Sequence, residues 1–334
     1  MKDKNFQSDT TQGSITHKDK FIRALKRQPV IGKVPHFELV FFLTMEAFGK
    51  VHPTHRQYPQ WNQMSKEEQK LHINDLASIY VDTARLYDHS AIFVHSGVGD
   101  YDFTAPVLEK IREISGDEYF IMLHGDPTFP IPDGNTMLDF TAQLYEEEEK
   151  LLDQAQRAVD DYSRWSKAFQ NTGLIDGFAL CSDYCFNTAP FYGPDLFDKF
   201  IGPFLKEIIQ VYRELGYYSI KHTDGNIMPI IDRMVDCKPD AIHSLDPQGG
   251  VDLAYIIENY GENVCLIGNV NCGLLQTGTE EEATEDIKRS LKDGMKAPGY
   301  IFSTSNCIYT GLPLSRYELM IKLWNQFGYY ETHI

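Results

Sequence analysis

The segment KHTDGN, residues 221–226, holds residue types that could build a metal site. It ends the run YYSIKHTD (217–224), which reads as a strand. Side chains two apart on a strand point to one face, so the His222 nitrogen and an Asp224 oxygen can converge on one point. Gly225 lets the chain turn sharply just afterwards, and Asn226 is placed to cap a helix over 227–235. Cys307, at the end of a later run, could add a sulfur. Mixed N, O and S ligation suits zinc, and three protein ligands leave a fourth position for substrate. His243 is a candidate fourth ligand or an orienter of a ligand, and Glu38 could occupy the open position. The plainer reading stays open: Asp224 and Asn226 cap and turn, and His222 fills a barrel interior.

These residues need a frame that brings distant segments together. Eight short apolar runs recur along the chain, at 34–42, 91–97, 119–126, 173–183, 217–224, 240–246, 264–270 and 299–306. Several are apolar at consecutive positions, as in parallel strands covered on both faces. Helical patterns separate them. Ser65 with Glu68, and Thr279 with Glu282, have capping-box spacing. Residues 194–216 read as one helix kinked at Pro203, and 315–327 as the last helix. The acidic run Glu146–Glu149 reads as the solvated face of a helix. Residues 1–16 read as a flexible tail, and 17–334 as a single-domain (β/α)8 barrel, an α/β fold, with a doubly wound open sheet as the alternative. Neither G-x-G-x-x-G after the first strand nor GxxxxGK[ST] is present to favour that alternative. In a barrel, active sites lie at the C-terminal ends of the strands. The polar residues there are Glu38, His95, His124, Asp126, Asp183, His222, Asp224, His243, Asp246, Asn269, Asn271, Asn306 and Cys307.

Composition narrows the function further. With 31 Lys+Arg against 48 Asp+Glu, the formal charge is −17. That argues against nucleic acid as a partner and against an anionic membrane surface. No apolar run approaches the roughly 18–20 residues of a spanning helix. The first twenty residues lack the apolar core of a signal peptide, so a cytoplasmic location is expected. In that compartment the six cysteines are expected to be reduced. The 13% aromatic content is compatible with a homodimer surface.

Over residues 17–330 the chain resembles the uroporphyrinogen decarboxylase superfamily. The resemblance lies in FIRALKRQPVIGKVPHFELVF (21–41), CSDYCFNTAPFYGPDLFDKFIGPF (181–204), KHTDGN and HSLDPQGGVDLAYII (243–257). It implies a (β/α)8 barrel. The decarboxylases themselves carry an arginine-rich segment of the form RQAGRY near the first strand, and VPHFELVFF (34–42) has no arginine. The resemblance therefore implies the corrinoid-dependent methyltransferase branch. Its coenzyme M enzymes bind zinc through H-x-C-G-N and a distal cysteine. His222, Gly225, Asn226 and Cys307 match, and Asp224 stands where that motif has cysteine.

One thiolate fewer leaves a more electrophilic zinc, suited to polarise an ether oxygen. The implied activity moves a methyl group from a small methoxylated, aromatic compound to Co(I). The cobalamin is carried by a separate corrinoid protein, because this chain lacks a D-x-H-x-x-G motif. The implied metal ligands are His222, Asp224 and Cys307, with Glu38, Asp183 and His243 catalytic. Tyr184, Asn187, Phe41 and Asn226 would bind substrate, among an aromatic wall including Phe42, Tyr101, Phe103, Phe186, Phe191 and Tyr192. Rival implications are the reverse transfer to a thiol or folate, a lyase acting on a polycarboxylate, and a non-catalytic scaffold.

Overall fold

In the computed structural model, residues 15–56, 58–95 and 101–330 are described. Among the described residues, seven strands form one parallel sheet: β1 (Ala91–Val94), β2 (Phe120–His124), β3 (Gly177–Leu180), β4 (Tyr218–His222), β5 (Ala241–His243), β6 (Cys265–Val270) and β7 (Tyr300–Thr304). They lie in sequence order, each paired with the next. A doubly wound sheet would reverse its order midway, so that alternative is excluded. The architecture is α/β and TIM-barrel-like.

Alternation along the strands explains two separate cores. Phe93, Phe120, Met122, Ala179, Ile220, Ala241, Ile267 and Ile301 share one face and pack together with Phe37. The intervening Ile121, Leu123, Phe178, Ile242 and Leu266 belong to the larger core with the helices. Burial on both faces produces the continuous apolar runs.

The first expected run, 34–42, is not a strand. Its backbone makes parallel bridges only at His36 with Phe302 and at Phe41 with Ile308. Phe37 N–H donates to Phe302 O (3.1 Å), and the His36 carbonyl accepts from Ser90 N–H (2.6 Å), so the segment lies between β7 and the start of β1. Two residues interrupt the ladder. Pro35 has no N–H to donate. Glu38 places its carboxylate where Thr304 N–H would otherwise seek a backbone carbonyl, at 3.3 Å.

Four boundaries also differ from the sequence reading. Thr16 is the N-cap of the helix His17–Leu25, with both bonds of a capping box, so the expected tail stops short of it; its residues 1–14 lie outside the described residues. The kinked helix expected over 194–216 is two helices, Pro194–Phe200 and Gly202–Glu214, with Pro203 in the first turn of the second. Glu147 is the junction between Met137–Glu146 and Glu148–Lys167, so the acidic run straddles two helices. After Asn226 a turn intervenes, and the helix spans only Ile231–Asp236. Ser65 and Thr279 do cap the helices Lys66–Tyr87 and Glu280–Gly294. Among the described residues no helix is long and apolar enough to cross a membrane.

Candidate metal site

His222 closes β4 and His243 closes β5, and the register pairs them directly. Both follow inward-facing residues, Ile220 and Ala241, by two positions, so both rings point inward. Their Nδ1 atoms are 2.8 Å apart. His243 is wholly buried, and burial holds it well below the ordinary histidine range, with the His222 ring adding to the effect. A neutral His243 accepts the Nδ1 hydrogen of His222 and thereby leaves the His222 Nε2 lone pair free.

That Nε2 faces two carboxylates. It lies 3.7 Å from Asp224 Oδ1 and 3.9 Å from Asp183 Oδ1. A tetrahedral zinc needs its donor atoms about 3.4 Å apart, so small side-chain shifts would close the shell. Among the described residues, Asp183, His222 and Asp224 are the group of three whose donor atoms lie within 4.8 Å of one another.

Backbone and neighbours hold both carboxylates in place. Asp224 N–H donates to Asp183 Oδ1 at 2.9 Å. Ser244 Oγ–H donates to Asp224 Oδ1 at 2.8 Å, and the Asn306 amide donates to Oδ2. Gly225 makes the approach possible. Its φ is +81°, and a Cβ there would stand 2.6 Å from Cys185 O. Burial raises the Asp224 carboxyl above its ordinary value, and the Asp183 charge adds to this against the opposing pull of His222. A cation between the two carboxylates would relieve both the burial and the repulsion. The donor set fits a divalent ion.

Cys307 lies near this group, with its sulfur outside the cluster of three. Burial, then the Asp224 carboxylate, pushes its thiol up to about 12. Its N–H donates to Asn306 Oδ1 at 2.6 Å.

Glu38 reaches the same centre through a relay. Ser303 Oγ is 3.3 Å from His243 Nε2 and donates to Glu38 Oε2, also at 3.3 Å. Thr304 Oγ1–H donates to the same oxygen at 2.5 Å. Burial nevertheless pushes the Glu38 carboxyl from an ordinary 4.5 up to about 8. A carboxyl raised on folding stabilises the folded state fully below its unfolded pKa. That contribution is lost as pH rises through the folded value. In metal-free protein, Glu38→Gln should therefore flatten the decline in stability between pH 4.5 and 8, by about 3–5 kcal/mol. Urea unfolding across that range checks this; a wild-type-minus-variant difference that does not change with pH contradicts it.

Other expected site residues serve elsewhere. Tyr184 is wholly buried, with its hydroxyl 2.6 Å from Thr128 Oγ1 and its ring beneath Lys221, so it cannot touch substrate. Phe41 packs on Tyr87 and Tyr317 in the core. Asn187 is exposed beyond β3. Asn226 donates to Thr188 O at 3.3 Å and accepts from Met228 N–H at 3.2 Å, tying two loops together. Asn271 and Asp246 cap a helix and a short 3-10 turn.

Lys221 escaped the sequence reading. It points from β4 toward the helices, wholly buried, 2.7 Å from a wholly buried Asp126. It also donates to Ser182 O at 2.8 Å. The legible signal is its parity: beside an inward His222, a lysine must face the buried helix layer and needs a carboxylate.

None of the curated proteins compared with this chain matches it. Among solved structures, the fold is similar to a methyltransferase from Methanosarcina mazei. That match has TM-score 0.69 and 17% identity, and covers 94% of this chain and 99% of the other. A GH5_18 protein from Streptomyces cattleya, in complex with GlcNAc, aligns at TM-score 0.49 and 9% identity, over 82% of this chain and 70% of its own. The first of these likenesses is one of fold. Sequence decides the family: residues 142–327, more than half the chain and spanning β3 to β7 with the metal-site segments on them, match the model described as Uroporphyrinogen decarboxylase (URO-D). The chain belongs to the uroporphyrinogen decarboxylase family.

Proposed function

We propose that the chain is a zinc-dependent methyltransferase that moves a methyl group from a methoxylated aromatic compound to the Co(I) of a separate corrinoid protein. The observation that carries this reading is the convergence of His222, Asp224 and Asp183 at the C-terminal ends of the strands. A carboxylate-lined centre repels a polycarboxylate substrate and attracts a divalent cation, which favours methyl transfer over decarboxylation. The likeness to a methyltransferase fold agrees.

Zinc held by His222, Asp224 and one third donor, Cys307 or Asp183, would keep a fourth position open and supply Lewis acidity toward an ether oxygen. His243 fixes the His222 ring in the tautomer that presents Nε2. Ser244 and Asn306 keep the Asp224 carboxylate turned toward it. Glu38 accepts from Ser303 Oγ, which lies 3.3 Å from His243 Nε2, and so helps to hold the ring that orients His222. The methyl carbon passes to cobalt, whose electron pair forms the new bond. The C–O pair stays on the departing oxygen, which takes up a proton. Residues 34–42, bridging β7 and the start of β1 without forming a strand, would close the seven-stranded sheet around this mouth, where the corrinoid protein docks. We place the protein in the cytoplasm, where such a partner would be met.

Mixing the protein, zinc, a Co(I) corrinoid protein and a panel of methoxybenzenes tests the reading. Growth of methyl-cobalt absorbance with one donor is expected. Methyl transfer only in the opposite direction, from methyl-cobalt to a thiol, would refute it.

A further inference from the structure

A cavity of about 100 Å³ lies between the helix Lys66–Tyr87, the helix Tyr101–Ser115 and the end of β1. Tyr58, Tyr80 and Phe103 give it aromatic walls, and Leu76, Val94 and Val107 are apolar. Its polar atoms are unusual. On residues that line it, the buried Tyr58 hydroxyl, His95 Nδ1 and Thr104 Oγ1 have no well-formed hydrogen bond among the described residues, with the Arg56 guanidinium lying beside the Tyr58 hydroxyl. Few buried polar groups in a folded protein go unpaired, and leaving one so costs about 1–3 kcal/mol. Three around one small cavity point to a missing occupant.

We infer that this cavity binds a small neutral phenol. The aromatic walls favour a planar ring, which buries apolar surface that water cannot. One hydroxyl can donate to His95 Nδ1 and accept from Tyr58 or Thr104. Neutrality follows from the surroundings. Arg56, also on the wall, is already held by Asp75 and by Val51 O, so it offers no free charge to a carboxylate. His95 is kept uncharged by its burial. A second, smaller cavity shares Tyr80 and His95 and reaches Glu38, which joins the site to the interior of the sheet. A phenol is also the product class of the methyl transfer proposed above; that link rests on that reading, and the binding itself does not.

Titration calorimetry with the full chain tests this, using phenol and toluene as probes. Wild type should bind phenol about tenfold more tightly than toluene, and His95→Leu should erase that preference while retaining toluene. Thr104→Val, which keeps size, should weaken phenol alone. His222→Ala should bind phenol as wild type does, so failure of methyl transfer and failure of this site are distinguishable. Equal affinity for both probes, phenol binding unchanged in His95→Leu, or ordered water on the three polar atoms with no phenol bound would overturn the inference.

Discussion

His222→Ala should lose stoichiometric zinc and at least ~10³-fold of methyl-transfer rate, because a Lewis acid supplies several kcal/mol of transition-state stabilisation. The imidazole is the single nitrogen in a set otherwise built from carboxylates, and both neighbouring oxygens stand within 4 Å of it. Without it, Asp183 and Asp224 face each other with nothing between them but water. Asp224→Asn should behave similarly, since it also removes one of the two charges that attract the ion. His243→Leu should be milder, weakening zinc about 10–100-fold as expected for a group that orients a ligand. Cys307→Ala separates two ligand sets. Loss of zinc in that variant means the thiol moves in from its present place when the ion binds; full retention means Asp183 is the third ligand. Elemental analysis of the purified variants gives the answer. Stoichiometric zinc in both His222→Ala and Asp224→Asn would end the metal hypothesis.

Spacing within one chain segment is legible in the sequence, whereas contacts between segments depend on the fold. The i, i+2 spacing of His222 and Asp224 was legible, although β4 ends at His222 and it is Ser244 and Asn306 that turn Asp224 to the same side. The pairing of His222 with His243 required the register of β4 against β5, which no single run contains. Asp183 was legible as a strand-end carboxylate, whereas its closeness to Asp224 depends on a backbone N–H reaching across two loops. Glu38 lies in an apolar run that reads as a strand, and its own carboxylate, accepting from Thr304 N–H, interrupts the ladder there. Tyr184 illustrates the opposite error. An aromatic residue at a strand end looks like a substrate wall, but here it roofs a buried lysine. The orphaned polar atoms around His95 come from three separated segments, and only packing brings them together.

The buried lysine governs the second large effect. Asp126→Ala should destabilise the protein by about 3–5 kcal/mol, because it strands the Lys221 ammonium in an apolar layer. Burial alone would raise the Asp126 carboxyl, but Lys221, Thr128 and the Ser182 N–H outweigh it and hold it below the ordinary range. A depressed carboxyl stabilises above its unfolded pKa, here the ordinary 3.8. That stability is lost as pH falls below it, so the wild-type advantage over Asp126→Ala should vanish in strong acid. The damage should also reach the metal site. Lys221 neighbours His222 in β4, and its bond to Ser182 O fixes the residue before Asp183. Tyr184 N–H, just after Asp183, donates to Thr223 Oγ1 at 2.9 Å and completes the clamp. Replacing both partners, as Asp126→Leu with Lys221→Met, removes the stranded charge and should recover most of the lost stability. It leaves the loop carrying Asp183 without its anchor. The double variant should thus melt near wild type yet bind zinc more weakly. If it melts and binds as wild type does, the ion pair serves neither stability nor the site. If Asp126→Ala alone melts as wild type does, Lys221 has found another partner or lost its proton, and the clamp does not operate as described.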